Sequence, residues 1–350
     1  MPVGTGRSSS APARSLSMPM DVAALLKQHA AEIEVLLHKE IPEAEFRFIS
    51  EAVWYQFSSG GKRLRPALCL LTCQALGGDP RKALHFALAA EILHNVLLIH
   101  DDIEDGDTVR RDRKTLWAQF GVPNAINVSD FLIATAYKII LKSPLSVEVR
   151  LKLVNVFSTT FERTVEGQAL DINLRGVEDF TIEQYYQIVQ LKTAYYLTFN
   201  LVGGALAAGL DDQRIEKLWD LGRCLGPAFQ IRDDIIDLTE GKGRGGEVGC
   251  DIREGKPSIF FAYALEQRKG SDADRRRLIE IVRRSREETT PEDVQWAIAY
   301  YRGIGGIEFA QSEAQRLIGE AFQVIDRIPM EEAQKELFRV ISRFMIDRTT

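Results

Sequence analysis

Two short stretches crowd carboxylates at the point where an apolar run ends. "LLIHDDIEDGDTVRRD", from Leu97 to Asp112, gathers Asp101, Asp102, Glu104, Asp105 and Asp107 just ahead of Arg110 and Arg111. "FQIRDDIIDLTE", from Phe229, repeats the theme with Asp233, Asp234 and Asp237. On a helix, residues three and four apart share a face, so each patch aims a carboxylate cluster to one side. The C-terminal end of a helix carries the negative pole of its dipole, and close like charges raise one another's pKa unless a cation intervenes. Oxygen-only ligands select hard ions. Mg²⁺ takes one or two carboxylates, several waters and substrate phosphates. A single patch of this kind is ordinarily a solvated helix end. Two of them, each closing a buried apolar helix beside arginines, point to Mg²⁺.

A metal bound this way needs a bridging anion, and the basic residues point to a diphosphate. "GGKRLRP" places Lys62, Arg63 and Arg65 at the start of a helix, where amide groups and the dipole also favour anions. Arg110 and Arg111 follow the first acidic patch, while Lys192, with Thr193, and Lys256 lie at other helix ends. Each alone could be a solvated surface charge. Together they describe two anion sites, one through metal and one through bare cations.

The elements that must position these groups are helices. From Asp21, a plausible N-cap, apolar residues recur at three- and four-residue spacing. The pattern returns over 43–57, 66–76, 81–101, 124–142, 147–172, 181–209, 212–238 and most of 257–347, with prolines mostly near the breaks. Period-two strands with hairpin turns are missing. The reading is one large all-α domain over residues 21–350, interrupted by a glycine-rich, charged loop from Thr239 to Pro257. Residues 1–20, rich in Ser, Ala and Pro with no acid and no apolar core, read as a disordered tail rather than a secretory signal.

The composition, 45% hydrophobic and 27% charged over 350 residues, is that of a soluble globular protein. A net charge of -6 argues against nucleic acid as a partner. Cys69, Cys73, Cys224 and Cys250 form no paired CxxC pattern, which fits a reducing cytoplasm. No apolar run is expected to reach the ~20 residues of a transmembrane segment.

"GGKRLRP", "DDIEDGDTVRR", "EGQALD", "LKTA", "FQIRDDIID" and "GCDIREGKPS" stand in the order found in trans-isoprenyl diphosphate synthases, and from about residue 21 nearly the whole chain resembles that family. The resemblance implies the isoprenoid synthase fold, a bundle of helices around a deep central cavity, usually as a homodimer. It implies that Asp101, Asp102, Asp105, Asp233, Asp234 and Asp237 hold Mg²⁺ ions against the diphosphate of an allylic substrate. Arg110, Lys192 and Lys256 resemble its direct ligands. Lys62, Arg65, His94 and Arg111 resemble the metal-free pocket for isopentenyl diphosphate. Gln168, Asp171, Thr193, Phe229 and Gln230 match supporting positions near the reacting carbons. A lone His on an apolar helix is usually core, but His94 lies two turns before Asp101, on the face that points into the site, which favours a ligand.

The implied chemistry is ionisation of the allylic diphosphate, attack by the double bond of isopentenyl diphosphate, and loss of a proton. It needs no Ser, Cys or His nucleophile. A class I terpene cyclase would share the metal chemistry without the isopentenyl site, and a non-catalytic partner subunit would not need both aspartate motifs intact. Two positions depart from the family pattern: Gly246 stands at a usual lysine, and Asp112 replaces the glycine after the paired arginines. In farnesyl synthases an aromatic four or five residues before the first aspartate blocks the growing tail. Here those residues are Leu97 and Val96, which implies a longer product; geranylgeranyl diphosphate is the one expected, with farnesyl or a longer polyprenyl diphosphate as the alternative.

Overall fold

The first acidic patch ends the helix with the strongest start signal in this part of the chain. Asp79 caps it by accepting a hydrogen bond from the amide of Arg81, Pro80 opens it, and it runs to Glu104. In the computed structural model, residues 22–41, 47–60, 63–239, 248–267 and 270–346 are described. Up to the first patch the helices are α1 (Val22–Glu40), α2 (Arg47–Phe57), α3 (Leu64–Ala75) and α4 (Pro80–Glu104). Then come α5 (Leu116–Phe120), α6 (Val122–Leu141), α7 (Val147–Asn173), α8 (Ile182–Val189), α9 (Tyr195–Ala207) and α10 (Asp212–Thr239). The last part holds α11 (Cys250–Arg253), α12 (Ile259–Gln267), α13 (Asp272–Arg283), α14 (Pro291–Gly303), α15 (Gly306–Arg327) and α16 (Glu332–Ile346).

The fold is all-α, as the periodicity predicts, and one contiguous apolar core runs from Ile33 to Ile341. Helix α4 packs against α3, α6 and α9, while α10 packs against α9 and α15. Helix α9 therefore contacts both helices that carry the acidic ends. Helix α4 is long and apolar enough, by length and composition alone, to cross a membrane, which the sequence reading did not anticipate. Its most apolar window is 67% buried inside the protein, the environment of a central core helix.

Two local departures matter for the site. The segment expected as one helix over 181–209 is broken: between α8 and α9, Gln190–Ala194 forms a π-turn. Such turns are rare and concentrate at functional sites. The cause lies in its neighbours. A Cβ on Gly167 would sit 2.3 Å from the Lys192 amide nitrogen, and one on Gly226 would sit 2.4 Å from Ala194 Cβ. Only glycine allows α7 and α10 to close on the turn from both sides. The second departure is a small antiparallel ladder, Val109–Arg110 with Arg113–Lys114, where no strand was expected. Arg111 and Asp112, at φ 52° and 60°, make its two-residue turn. Positive φ at both positions is the type I′ requirement, which glycine, Asn and Asp meet most easily. Asp112 is thus a workable replacement for the glycine usual there, and the strain falls on Arg111.

Candidate active site

A cavity of about 830 Å³ opens between α4, α7, the π-turn and α10. Arg65, His94, Leu97, Asp101, Lys192, Thr193, Gln230 and Asp233 all line it, together with Gln168 and Phe229. A recess of about 190 Å³ adjoins it through Lys192, Thr193 and Gln230 and is completed by Asp171, Asp234 and Lys256. The residues predicted from two distant motifs thus share one volume.

The first patch divides by environment. Asp105 accepts from Arg175 Nη2 at 2.8 Å and lies 3.4 Å from Lys256 Nζ. Burial alone would raise its pKa, but Lys256, Arg175 and Lys192 outweigh that and hold it at about 2. Asp102 is tied to Arg110 Nε at 2.5 Å, yet burial pushes it up to about 6 against that pull. Asp101 faces the cavity.

The second patch divides more sharply. Asp233 is on the cavity wall. Asp234 is held by three donors, Tyr185 Oη at 3.0 Å, Gln230 Nε2 at 3.0 Å and the Ile259 amide at 3.2 Å. Asp237 is fully buried, and its carboxylate and carbonyl accept from the amides of Asp251 and Gly249 at 3.2 and 2.8 Å. That geometry fastens to α10 the later part of the segment expected as a loop, where the short helix α11 forms instead. Asp233 alone of the three therefore lines the main cavity.

The cations are poised around these acids. Lys192 contacts Asp171 at 3.2 Å, and Thr193 Oγ1 donates to Gln230 Oε1 at 3.2 Å. Burial lowers the pKa of Lys256, but Asp251, Asp105 and Glu254 together raise it further, so it stays protonated. On the other side, Arg65 Nε and Tyr196 Oη are buried with no protein partner, and the Arg65 guanidinium lies 5.1 Å from the Tyr196 ring centroid. Buried polar atoms without partners cost stability unless a ligand meets them. His94 is pulled well below its ordinary pKa by burial and then by Arg65, Arg111, Arg63 and Arg110. It is neutral at pH 7, with a ring nitrogen free to accept or donate. Arg111 donates to the Gly60 carbonyl. Arg63 turns inward to Glu34, Glu91 and the Phe57 carbonyl, a structural role.

Lys62 and Gly246 lie outside the described residues. Val96 is fully buried and is not part of the cavity lining; Leu97 and Leu98 are. Arg175 was missed, although it follows Asp171 by one helical turn. Tyr185 and Glu254 were missed because sequence spacing gives no sign of their partners.

The donor set suits a hard cation. Among the described residues no three His, Cys, Asp or Glu side chains gather closely enough to hold a metal alone. Carboxylates spread across two helix ends, with lysines and arginines between them, fit a Mg²⁺ ion that completes its shell with phosphate oxygens.

The comparisons agree with this geometry. The polyprenyl synthetase family model matches residues 46–301. The short chain isoprenyl diphosphate synthase of Methanothermobacter thermautotrophicus is 33% identical over 333 residues, covering 94% of this chain and 99% of that one. The geranylgeranyl pyrophosphate synthase of Geoglobus acetivorans is 33% identical over 310 residues, 87% of this chain and 92% of that one. Among relatives of similar identity, the enzyme of Aeropyrum pernix is named a geranylfarnesyl diphosphate synthase. The crystal structure of the geranylgeranyl pyrophosphate synthetase of Pyrococcus horikoshii superimposes with a TM-score of 0.83 at 31% identity, covering 94% of this chain and 98% of that one. By motif order, fold and overall similarity, the chain belongs to the polyprenyl synthetase family.

Proposed function

We propose that this protein is a trans-prenyltransferase that joins isopentenyl diphosphate head-to-tail to an allylic diphosphate, with geranylgeranyl diphosphate as product. The observation that carries the reading is one apolar-walled cavity bordered by the acids Asp101 and Asp233 and by the separate Arg65–His94 group. Its volume falls in the range of roughly 300–1,000 Å³ typical of ligand pockets. Asp101, Asp105 and Asp233 would hold Mg²⁺, which would supply the positive charge that stabilises a departing pyrophosphate. Arg110, Lys192 and Lys256 bind and orient that diphosphate. Thr193 donates to Gln230, and Gln230 in turn donates to Asp234, so the pair fixes that carboxylate. Arg65, His94 and Arg111, with Lys62, take the second diphosphate without metal. Phe229 and Tyr196 border the space between and can face a passing cation. A terpene cyclase would have no use for the Arg65–His94 group. Incubation with labelled isopentenyl diphosphate and allylic primers separates the two: elongated diphosphates support this reading, whereas hydrocarbons released without isopentenyl consumption refute it.

The wall below Asp101 supports the product assignment. Leu97→Phe puts a ring into the cavity and is expected to shift the main product to farnesyl diphosphate with the first condensation retained. Val96→Phe, in a closed core, is expected instead to cost about 1–3 kcal/mol by overpacking. Mass spectrometry of products and thermal melting of both variants check this; a shortened product from Val96→Phe alone reverses the assignment.

A homodimer is proposed from a second feature. Val122, Ile126 and Leu141 on α6 and Val147 and Leu151 on α7 are all exposed, by 37% to 63%. Exposed apolar patches of this extent mark association surfaces. The described cysteines are all free thiols, which supports a cytoplasmic location.

A further inference from the structure

The turn between α13 and α14 lies outside every motif discussed so far, yet it reaches the site. It is a rigid turn. The Ser285 amide and Oγ donate to Glu288, the Thr289 amide returns to the Ser285 carbonyl, and Thr290 with Asp293 forms a capping box at the start of α14. From this turn Arg286 Nη1 reaches Asp107 Oδ1 at 2.7 Å and Glu254 Oε1 at 3.8 Å.

Both acids are nearly inaccessible, at 4% and 3% exposure, and each offers its other oxygen to a cation of the diphosphate site. Asp107 Oδ2 lies 3.6 Å from Arg110 Nη2. Glu254 Oε2 lies 2.5 Å from Lys256 Nζ. Asp107 cannot move away, because its amide donates to the Asp102 carbonyl and its carbonyl accepts from Thr115 Oγ1 and Trp117 Nε1. Two buried carboxylates thus compete with the substrate for Arg110 and Lys256, and Arg286 draws charge from both.

We propose that Arg286 is a positioning residue for the allylic diphosphate: by holding Asp107 and Glu254 it keeps Arg110 and Lys256 available to the substrate. This rests on the functional reading above, in which those two cations bind diphosphate. Without Arg286 more of each acid's charge bears on the site cation beside it, Arg110 for Asp107 and Lys256 for Glu254. Because the acids are buried, salt screens that attraction weakly. The cations then bind substrate at the cost of leaving a buried carboxylate less well compensated.

The test uses Arg286→Gln, with Arg284→Gln as a control from the same turn. Arg284 pairs with Asp293 at 2.6 Å and touches neither site acid. Arg286→Gln is expected to raise KM for the allylic diphosphate about tenfold, the scale of lost outer-shell partners, with KM for isopentenyl diphosphate unchanged. Arg284→Gln is expected to alter neither. The second variant, Arg286→Gln with Glu254→Gln, removes one competing acid and is expected to recover most of the allylic KM. An anchoring role for Arg286 would make that double variant worse than the single one, and this result would overturn the proposal. So would an unchanged allylic KM in Arg286→Gln, or a rise in both KM values matched by Arg284→Gln. Calorimetry with inorganic pyrophosphate and Mg²⁺ reads the same loss without turnover. A wild-type protein that fails to elongate primers while Arg286→Gln still weakens pyrophosphate binding refutes the functional reading and upholds this one.

Discussion

Asp101→Ala is expected to lower kcat on the order of a thousandfold while leaving the melting temperature unchanged or slightly raised. Asp101 sits on the cavity wall at the negative end of α4, beside Asp102, whose pKa it helps to raise. Removing it relieves like-charge repulsion and takes nothing from the core, so folding does not suffer. What is lost is an oxygen ligand at the point where the departing diphosphate must be neutralised. Asp233→Ala should behave alike. Asp237→Ala should not: it removes the buried acceptor of the Asp251 amide, and the expected result is about 1–3 kcal/mol of destabilisation. Steady-state kinetics at saturating Mg²⁺, paired with thermal melts, distinguish the three. Near-normal turnover in Asp101→Ala would remove the metal-bridging role.

Gly167→Ala is expected to damage the fold and the site together. The added Cβ would fall 2.3 Å from the Lys192 amide nitrogen and 2.8 Å from its Cα, both backbone atoms that cannot step aside. The expected cost is about 3 kcal/mol, at the upper end of overpacking penalties, together with most of the turnover, because the displaced turn carries Lys192 and Thr193. Gly319, within α15, is the matched control. A Cβ there meets nothing within 4 Å, so Gly319→Ala should stabilise by roughly 0.5–1 kcal/mol. A folded, fully active Gly167→Ala would mean that the π-turn is not what places Lys192.

The helices and the two acidic ends were legible because their causes are local: apolar spacing and carboxylates one turn apart, whereas the N-cap read at Asp21 lies outside the described residues. The π-turn was not. Its residues read as ordinary helix, and the reason for the break sits on Gly167 and Gly226 of other helices. The same limit explains the second acidic patch, where spacing treated Asp233, Asp234 and Asp237 as equals. Tyr185 and the amides of Ile259 and Asp251 then take two of them out of the main cavity. Leu97 and Val96 differ by one step of rotation about α4, which periodicity blurs and packing decides. Arg286 meets Asp107 across 179 residues of sequence, and no local pattern signals such a contact.

The central claim is that one cavity both ionises an allylic diphosphate and elongates it with isopentenyl diphosphate. Purified protein supplied with Mg²⁺, isopentenyl diphosphate and farnesyl diphosphate, followed by mass spectrometry of the products, tests it directly. The account predicts geranylgeranyl diphosphate as the main product, formed only when both substrates are present and abolished by EDTA. Consumption of farnesyl diphosphate without incorporation of isopentenyl carbon, or no reaction with any allylic primer, would contradict it.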